Sequence, residues 1–321
     1  MANLIKKIQN TIFEYNLFQR GDKIILGVSG GPDSVCLLDV FFQLKDKYDL
    51  EIIIAHVNYG LRGRDSDKDE ELVRELAEKY KLEVEVLNVQ NIQELSSWKP
   101  TEDNFRNIRY EFFERIRKEH KFDLIAVAHN QNDQVETILA RLIRGSGLGG
   151  LRAMQFKNNR IIRPLLSTRR DEIINYLKQH KIFYRIDKTN LESVYLRNKI
   201  RNKLIPYLEK NFNPNLKKTL FDASLAISED YAVIASVVEK AYRKNKDLSV
   251  SGLMKLPAAI QKRVLREAIL KVKSDLKDIE AAHIREIGKV IKSTKGKSQV
   301  VLFQGLKITR KGDKLTISRN T

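Results

Sequence analysis

The stretch Lys23 to Ser34, KIILGVSGGPDS, decides the fold. Lys23 to Ser29 is a short apolar run bounded by a glycine-rich turn, which reads as a buried strand. Gly30 and Gly31 let the backbone turn tightly and bring its N–H groups close to a ligand. Pro32 suits an early helical position, where its missing N–H costs nothing. Asp33 to Leu44 then continues at helical spacing, with Val35, Leu38 and Phe42 on one face. Such a strand–turn–helix junction is an anion site, because the turn amides and the helix N-terminus point at the same place. Ser29 and Ser34 add hydroxyl donors. A carboxylate beside bound phosphates is repelled unless a cation lies between them, so Asp33 predicts Mg²⁺. The plainer reading, an N-capped turn with Asp33 facing the helix dipole, accounts for less of the hexapeptide.

Outward from this junction, strands and helices alternate. Glu51 to Val57, Leu82 to Val89 and Asp123 to Ala128 read as strands. Asp65 to Tyr80, Asp103 to Lys118 and Asn132 to Arg144 read as helices. This alternation predicts an α/β fold with a parallel sheet. After Leu151 the pattern changes. Arg160 to Pro164 offers one more strand, and Arg169 to His180 and Val194 to Leu208 are basic helices. Pro214 marks a boundary. Leu216 to Lys244, Leu256 to Val272 and Lys277 to Ile291 are periodic helices, and Ser298 to Ser318 alternates like a β-hairpin. The expected domains are therefore 1–213, catalytic, and 214–321, mostly helical with a terminal hairpin.

Charge narrows the partner. The formal net charge is +18, and an excess of 11 positive charges lies between Gln155 and Lys218. A balance concentrated in this way favours a polyanion, most often nucleic acid, over a merely solvated surface. No apolar run is long enough to span a membrane. The single cysteine, Cys36, excludes an internal disulfide and fits a reducing cytoplasm. The N-terminal MANLIKKIQNTIFEYNLF reads as an amphipathic helix, since it has no continuous apolar core and no cleavage site. Two motifs are decoys. Gly145 to Gly150 matches G-x-G-x-x-G but follows a helix, and Gly296-Lys297-Ser298 lacks the upstream glycine of a Walker A loop.

SGGPDS resembles the SGGxDS signature of the N-type ATP pyrophosphatases, or PP-loop enzymes, which cleave ATP to AMP and pyrophosphate. Within them, HVNYGLR (His56 to Arg62) and AHNQNDQVET (Ala128 to Thr137) resemble the HVNHGLR and AHHxDDQxET segments of tRNA(Ile)-lysidine synthetases. LIRGSGLGGLRAM (Leu142 to Met154), RPLL (Arg163 to Leu166), DKTN (Asp187 to Asn190) and YLRNKIRNKLIP (Tyr195 to Pro206) extend the resemblance. It covers roughly residues 20–210 in order. Three positions depart from the pattern: Tyr59 and Asn130 stand for histidines, and Asn132 stands for the first aspartate of a pair. Asn132 removes a carboxylate, while Asp133 and Glu136 remain.

The resemblance implies an enzyme, a carbon–nitrogen ligase. The wobble cytidine of an isoleucine tRNA with a CAU anticodon is adenylated by ATP at carbon 2. Free L-lysine then attacks through its ε-amine and displaces AMP. The residues suit that chemistry. ATP falls to Ser29, Gly30, Gly31, Pro32, Asp33 and Ser34, with His129 at a strand end and His56 either near adenine or only packed. Mg²⁺ falls to Asp33, indirectly. Asp133 and Glu136, three apart on one helix face, with Arg109, form the lysine pocket that the resemblance implies. An arginine there holds the lysine carboxylate bidentately. The ε-amine, with an ordinary pKa of about 10.4, must lose a proton before it attacks. Catalytic roles fall to Asp33, Asp133 and Glu136.

Arg62, Arg144, Arg163, Arg197 and Arg201 are the candidate tRNA contacts, with Tyr184 and Tyr195 able to stack. Arg62 and Arg64 are as well explained by a solvated loop. A homodimer is common in such folds, and no residue marks one here. Three other readings compete: a 2-thiocytidine synthetase, an amidating ligase such as an NAD or GMP synthetase, and a noncatalytic RNA-binding relative. The first needs cysteines beyond Cys36. The second explains neither the basic segment nor the helical half. The third leaves the intact SGGPDS, Asp133 and Glu136 without a purpose.

Overall fold

The computed structural model describes residues 4–91, 101–186, 196–276, 278–294 and 297–320. Helix α1 (Leu4–Glu14) precedes strand β1 (Lys23–Gly27), helix α2 (Pro32–Tyr48), β2 (Glu51–Asn58), α3 (Arg64–Tyr80) and β3 (Glu83–Asn88). Helix α4 (Glu102–Glu119), β4 (Leu124–Ala126), α5 (Gln131–Ile143) and the short α6 (Leu148–Leu151) follow. Next come β5 (Lys157–Asn158), β6 (Ile161–Ile162), α7 (Arg170–Gln179), α8 (Leu196–Lys199) and α9 (Ile205–Asn211). The last elements are α10 (Leu216–Lys244), α11 (Val250–Met254), α12 (Ala258–Lys273), α13 (Ala281–Lys292), β7 (Gln299–Phe303), β8 (Leu306–Lys311) and β9 (Lys314–Arg319). The chain divides into two compact units, Met1–Ile227 and Ser228–Thr321, the division falling within α10.

In the first unit six strands pair in the order β3-β2-β1-β4-β6-β5, all parallel except β5. Strand β1 sits inside the sheet, with Ile25 between Ile53 and Ile125, so its apolar run has no solvent face. Period-two alternation divides the run between two cores. Ile24 and Leu26 pack with α1, α2, α3 and α7, while Ile25 packs against Phe112, Phe113 and Ile116 of α4. Because α2 lies over the sheet centre, it is buried on almost every side, and its neighbours α3 and α7 share a carboxylate with it. Tyr80 and Tyr176 both donate to Asp39, at 2.7 and 2.5 Å. Phe42, expected on the buried face with Val35 and Leu38, is instead 38% exposed at the rim, against Tyr80.

The chain runs from β1 outward to β2 and β3, then returns to place β4 on the other side of β1. The strand order therefore reverses between β1 and β4, and open α/β sheets bind ligands in the crevice at the carboxyl ends of such a pair. The loops after β1 and β4 are the ones that carry SGGPDS and His129-Asn130.

The second unit has its own core. Leu253, Val264, Leu265, Ile269, Ile287, Ile291 and Ile308 are buried together. Ile284, Ile287 and Ile291 recur at helical spacing on α13, which explains why that helix is amphipathic. The tail carries one strand more than the expected hairpin, an antiparallel sheet β7-β8-β9. DKTN, Tyr195 and the Gly296 decoy lie outside the described residues, as does Lys277.

Candidate active site

The loop after β1 is shaped for an anion. Gly30 has φ +82°, which a side chain would strain, and its carbonyl accepts from the Arg185 amide at 3.0 Å. Gly31 is the N-cap of α2 and has no side chain to close the helix end, while Pro32 stands at the start of the helix. The first-turn amides of α2 thus face outward from the loop, in the manner of a phosphate cradle. Ser34 Oγ braces the turn: it donates to the Gly31 carbonyl at 2.9 Å and accepts from the Ser29 amide at 3.0 Å. Ser29 Oγ lies 3.2 Å from Ser34 Oγ.

Asp33 stands where both ligand loops meet. Its Oδ1 accepts from Asn130 Nδ2 at 2.9 Å, and its Oδ2 is ion-paired with Arg170 of α7. Burial pushes its carboxyl up to about 6; Arg170 opposes this and the negative charge of Asp133 adds to it. Asp33 is thus a buried carboxylate held between an amide, a guanidinium and the like charge of Asp133.

Asn130 caps α5. Its Oδ1 accepts from the Asp133 amide at 3.2 Å, and Asp133 Oδ2 accepts from the Asn130 amide at 2.9 Å, a reciprocal capping box. Asp133 and Glu136 emerge from the first turns of α5 on one face, as their spacing predicts. Two arginines close on them. Arg197 reaches Glu136 Oε2 and Asp133 Oδ1, each at 2.8 Å. Arg201 reaches Glu136 Oε1 at 2.6 Å and Asp133 Oδ1 at 3.4 Å. Glu136 is 1% exposed. Burial disfavours the Asp133 carboxylate, but Arg197, the hydrogen bond from the Asn130 amide and Arg201 together hold its pKa below the ordinary value.

The helical stretch that carries these arginines includes a π-turn over Ile200–Leu204. It docks on α5 through Ile200 and Ile205, buried against Val135, Leu139 and Ala140. Burying each isoleucine is worth roughly 1.5–3 kcal/mol, whereas the attraction within these buried ion pairs is largely offset by the desolvation of their charges. Packing therefore docks the stretch, and the ion pairs orient it.

His129 lies in the loop three residues beyond β4. Burial pulls its pKa down, so the ring is neutral, and its Nδ1 is buried without a hydrogen-bond partner. His56 is also neutral by burial. Its Nδ1–H donates to the Val28 carbonyl at 2.8 Å, which leaves Nε2 as a buried acceptor without a partner.

The other predicted residues are more dispersed. Arg109 is half-buried on α4, close enough to Tyr59 to act on its hydroxyl electrostatically; Tyr59 itself donates to the Phe105 carbonyl at 2.7 Å. Arg62 pairs with Asp69 at 2.5 Å. Arg144 is exposed at the C-cap of α5, its Nε on the Ala140 carbonyl at 3.3 Å. Arg163, expected on a tRNA track, is 4% exposed and donates to the Gln155 carbonyl at 2.8 Å, so its position is interior. Cys36 is fully buried, and burial pushes its thiol far above the ordinary range. Sequence reasoning missed Arg170, Arg185 and Asp69. Arg185 joins Asp69 at 2.6 Å and Asp65 at 3.1 Å, beside the glycine turn. No spacing signal links residues so distant in sequence. Among the described residues, the group with metal-ligand spacing is Glu83, Glu85 and His120. It lies at the amino ends of the strands, opposite the site.

The PP-loop domain family matches residues 2–208, and the TilS substrate binding domain family matches residues 248–316. The tRNA(Ile)-lysidine synthase of Clostridioides difficile is 36% identical over 326 residues, covering 98% of this chain and 70% of the relative. The chain belongs to the tRNA(Ile)-lysidine synthase family. The enzyme of that name from Clostridium tetani is 38% identical over 92% of this chain, which spans 65% of that relative's length. Among solved structures, the U34-tRNA thiolase NcsA of Methanococcus maripaludis superposes with a TM-score of 0.58 at 19% identity, over 70% of this chain and 78% of that one. At that identity the likeness concerns the fold alone, a PP-loop α/β domain. No described helix is long and apolar enough to cross a membrane.

Proposed function

We propose that the chain is a tRNA(Ile)-lysidine synthetase acting in the cytoplasm. Its reaction adenylates the wobble cytidine of an isoleucine tRNA bearing a CAU anticodon, releasing pyrophosphate. Free L-lysine then forms the new C–N bond through its ε-amine, releasing AMP. The observation that carries this reading is the direct link between Asp33 and Asn130, which sets the anion cradle of α2 beside the acidic head of α5. One half suits ATP and the other suits an amino-acid cation.

In this reading the α2 amides, Ser29 and Ser34 hold the phosphates. Asp33 holds Mg²⁺ against them, and the metal supplies charge neutralisation for the departing pyrophosphate. Asp133, kept ionised by its arginine neighbours, binds an ammonium of lysine, and Glu136 fixes those arginines. Arg109 takes the lysine carboxylate. Neutral His129, with an unpaired ring nitrogen, faces the adenylate. The helical half from residue 214 onward reads tRNA features away from the anticodon, which methionine tRNA shares.

The test is a transfer assay with labelled lysine, ATP, Mg²⁺ and isoleucine tRNA transcripts carrying CAU, with methionine tRNA as control. Lysine incorporation that is lost in Asp33→Asn is the expected result. ATP consumption without lysine transfer would sink the reading in favour of a related ligase.

A further inference from the structure

In the unit Ser228–Thr321 a groove of about 730 Å³ runs between α10 and α12. That volume lies within the range of sites for small organic ligands, roughly 300–1,000 Å³. Its α10 wall presents Tyr231, Ala235, Val238 and Tyr242, which recur at helical spacing and form one stripe. The facing wall presents Arg263 and Arg266 from α12. The Arg263 guanidinium stacks 5.0 Å over the Tyr231 ring. Arg266 is half-buried and donates to the Ile279 carbonyl at 3.2 Å. Burial and the like charge of Arg263 both pull its pKa below the ordinary value. Arg243, Lys246 and Lys271 add three more cations at the rim, against two acids, Glu239 and Glu267. Glu239 is already paired with Arg243.

Two features of this groove ask for a ligand. Neighbouring guanidiniums repel unless an anion lies between them. An aromatic ring with an arginine over it is a platform for a flat π-system. A phosphate and a base, one nucleotide apart, supply both. We propose that the groove takes one unstacked nucleotide of an RNA strand, its base against Tyr231 and its phosphate between Arg263 and Arg266. This rests on the tRNA reading above and adds a subsite to it. The groove extends past the matched substrate-binding stretch, since Tyr231, Tyr242 and Arg243 precede residue 248.

The experiment measures tRNA affinity by fluorescence anisotropy, as a function of salt, on the full chain. Arg263→Ala with Arg266→Ala is expected to weaken binding and to make the log–log salt slope shallower by about two. Tyr231→Ala is expected to weaken binding on the order of tenfold with the salt slope unchanged, because stacking releases no counterions. Lys246→Glu, at the exposed rim, guards against misfolding as the cause and is expected to weaken binding as well. Wild-type affinity in all three overturns the pocket. A loss with the arginine pair but none with Tyr231→Ala overturns the nucleotide assignment in favour of a plain phosphate contact. The activity reading fails separately: a wild-type chain that binds tRNA with these dependences yet transfers no lysine keeps the groove and loses the reaction.

Discussion

Asn130 Nδ2 donates to Asp33 Oδ1 at 2.9 Å, while its Oδ1 caps α5 through the Asp133 amide. One amide side chain thus ties the phosphate loop to the acidic helix. A histidine at this position, as in the family pattern, has no carbonyl oxygen with which to cap. Asn130→Ala is expected to cost about 1 kcal/mol of stability through the lost cap, read by urea denaturation. It also removes a hydrogen bond that lowers the Asp33 pKa. The acid limb of the ATP-dependent rate should therefore move to higher pH, and an unmoved limb would separate Asn130 from Asp33 chemistry.

Asp33 makes stability depend on pH in a definite sense. Its folded pKa, about 6, lies above its unfolded value of 3.8. The folded state therefore holds the proton more tightly. Its contribution is fully present below the unfolded pKa and is lost as pH rises through about 6. Asp33→Asn removes the buried charge and is expected to stabilise the free protein at neutral pH, by on the order of 2 kcal/mol. Thermal melts of both chains across pH 4–8 check this. The stability difference should open between the two pKa values, while pyrophosphate release is abolished. A variant less stable than wild type at pH 7 would mean that the Arg170 pair outweighs desolvation.

The proposed lysine pocket divides into binding and support. Asp133→Ala is expected to abolish lysine transfer while ATP still binds. Glu136 meets both Arg197 and Arg201 and is almost wholly buried, so Glu136→Ala leaves two guanidiniums to share the single carboxylate of Asp133. Removing one partner of a buried pair costs about 3–5 kcal/mol, and the solvent that reaches these arginines reduces it to about 2–3 kcal/mol. Equilibrium unfolding should show that loss for Glu136→Ala and a much smaller one for Glu136→Gln. Full lysine transfer by Asp133→Ala would remove it from the site.

The fold was legible where one period dominates. KIILG reads as a buried strand because Ile24, Ile25 and Leu26 form an unbroken apolar run, and the turn chemistry of Gly30, Gly31 and Pro32 names the helix that follows. Asp133 and Glu136 share a face by spacing alone. What could not be read is long-range pairing. Arg170 meets Asp33, and Arg185 meets Asp69, across more than 100 residues, and only the sheet order brings them together. Phe42 fits a helical stripe, yet α2 is buried on so many sides that the stripe ceases to predict burial.

Gly27 gives a packing test at the end of β1. A Cβ there would stand 2.8 Å from Phe113 Cε2 and Cζ. The Phe113 ring is buried in one core cluster with Ile25, Ile125 and Phe112, so it cannot give way by turning into solvent. Gly27→Ala is expected to destabilise the chain by about 1–3 kcal/mol, as overpacking does. Gly31 is the control. Its Cβ would meet only Ser29 Oγ, at 3.6 Å, and its φ is −77°. Gly31→Ala should keep wild-type stability but weaken ATP binding, since the added methyl stands at the cradle. Urea midpoints and ATP titrations separate the two effects.

The basic segment makes the last prediction, and the structure divides it in a way composition does not. Arg170, Arg185, Arg197 and Arg201 are already paired with acids of the first unit, and Arg163 is interior. Arg160, Lys178, Lys181, Lys199, Lys203 and Lys210 are exposed. Counterion release depends on cations that reach phosphates, so the exposed group should carry the salt dependence of tRNA binding. Affinity is expected to fall steeply between low and physiological salt. Lys199→Ala and Lys203→Ala should each make the log–log slope shallower by about one. Arg163→Ala should instead lower the urea midpoint and leave the slope as it was. A slope that responds to Arg163 and ignores both lysines would reverse this division.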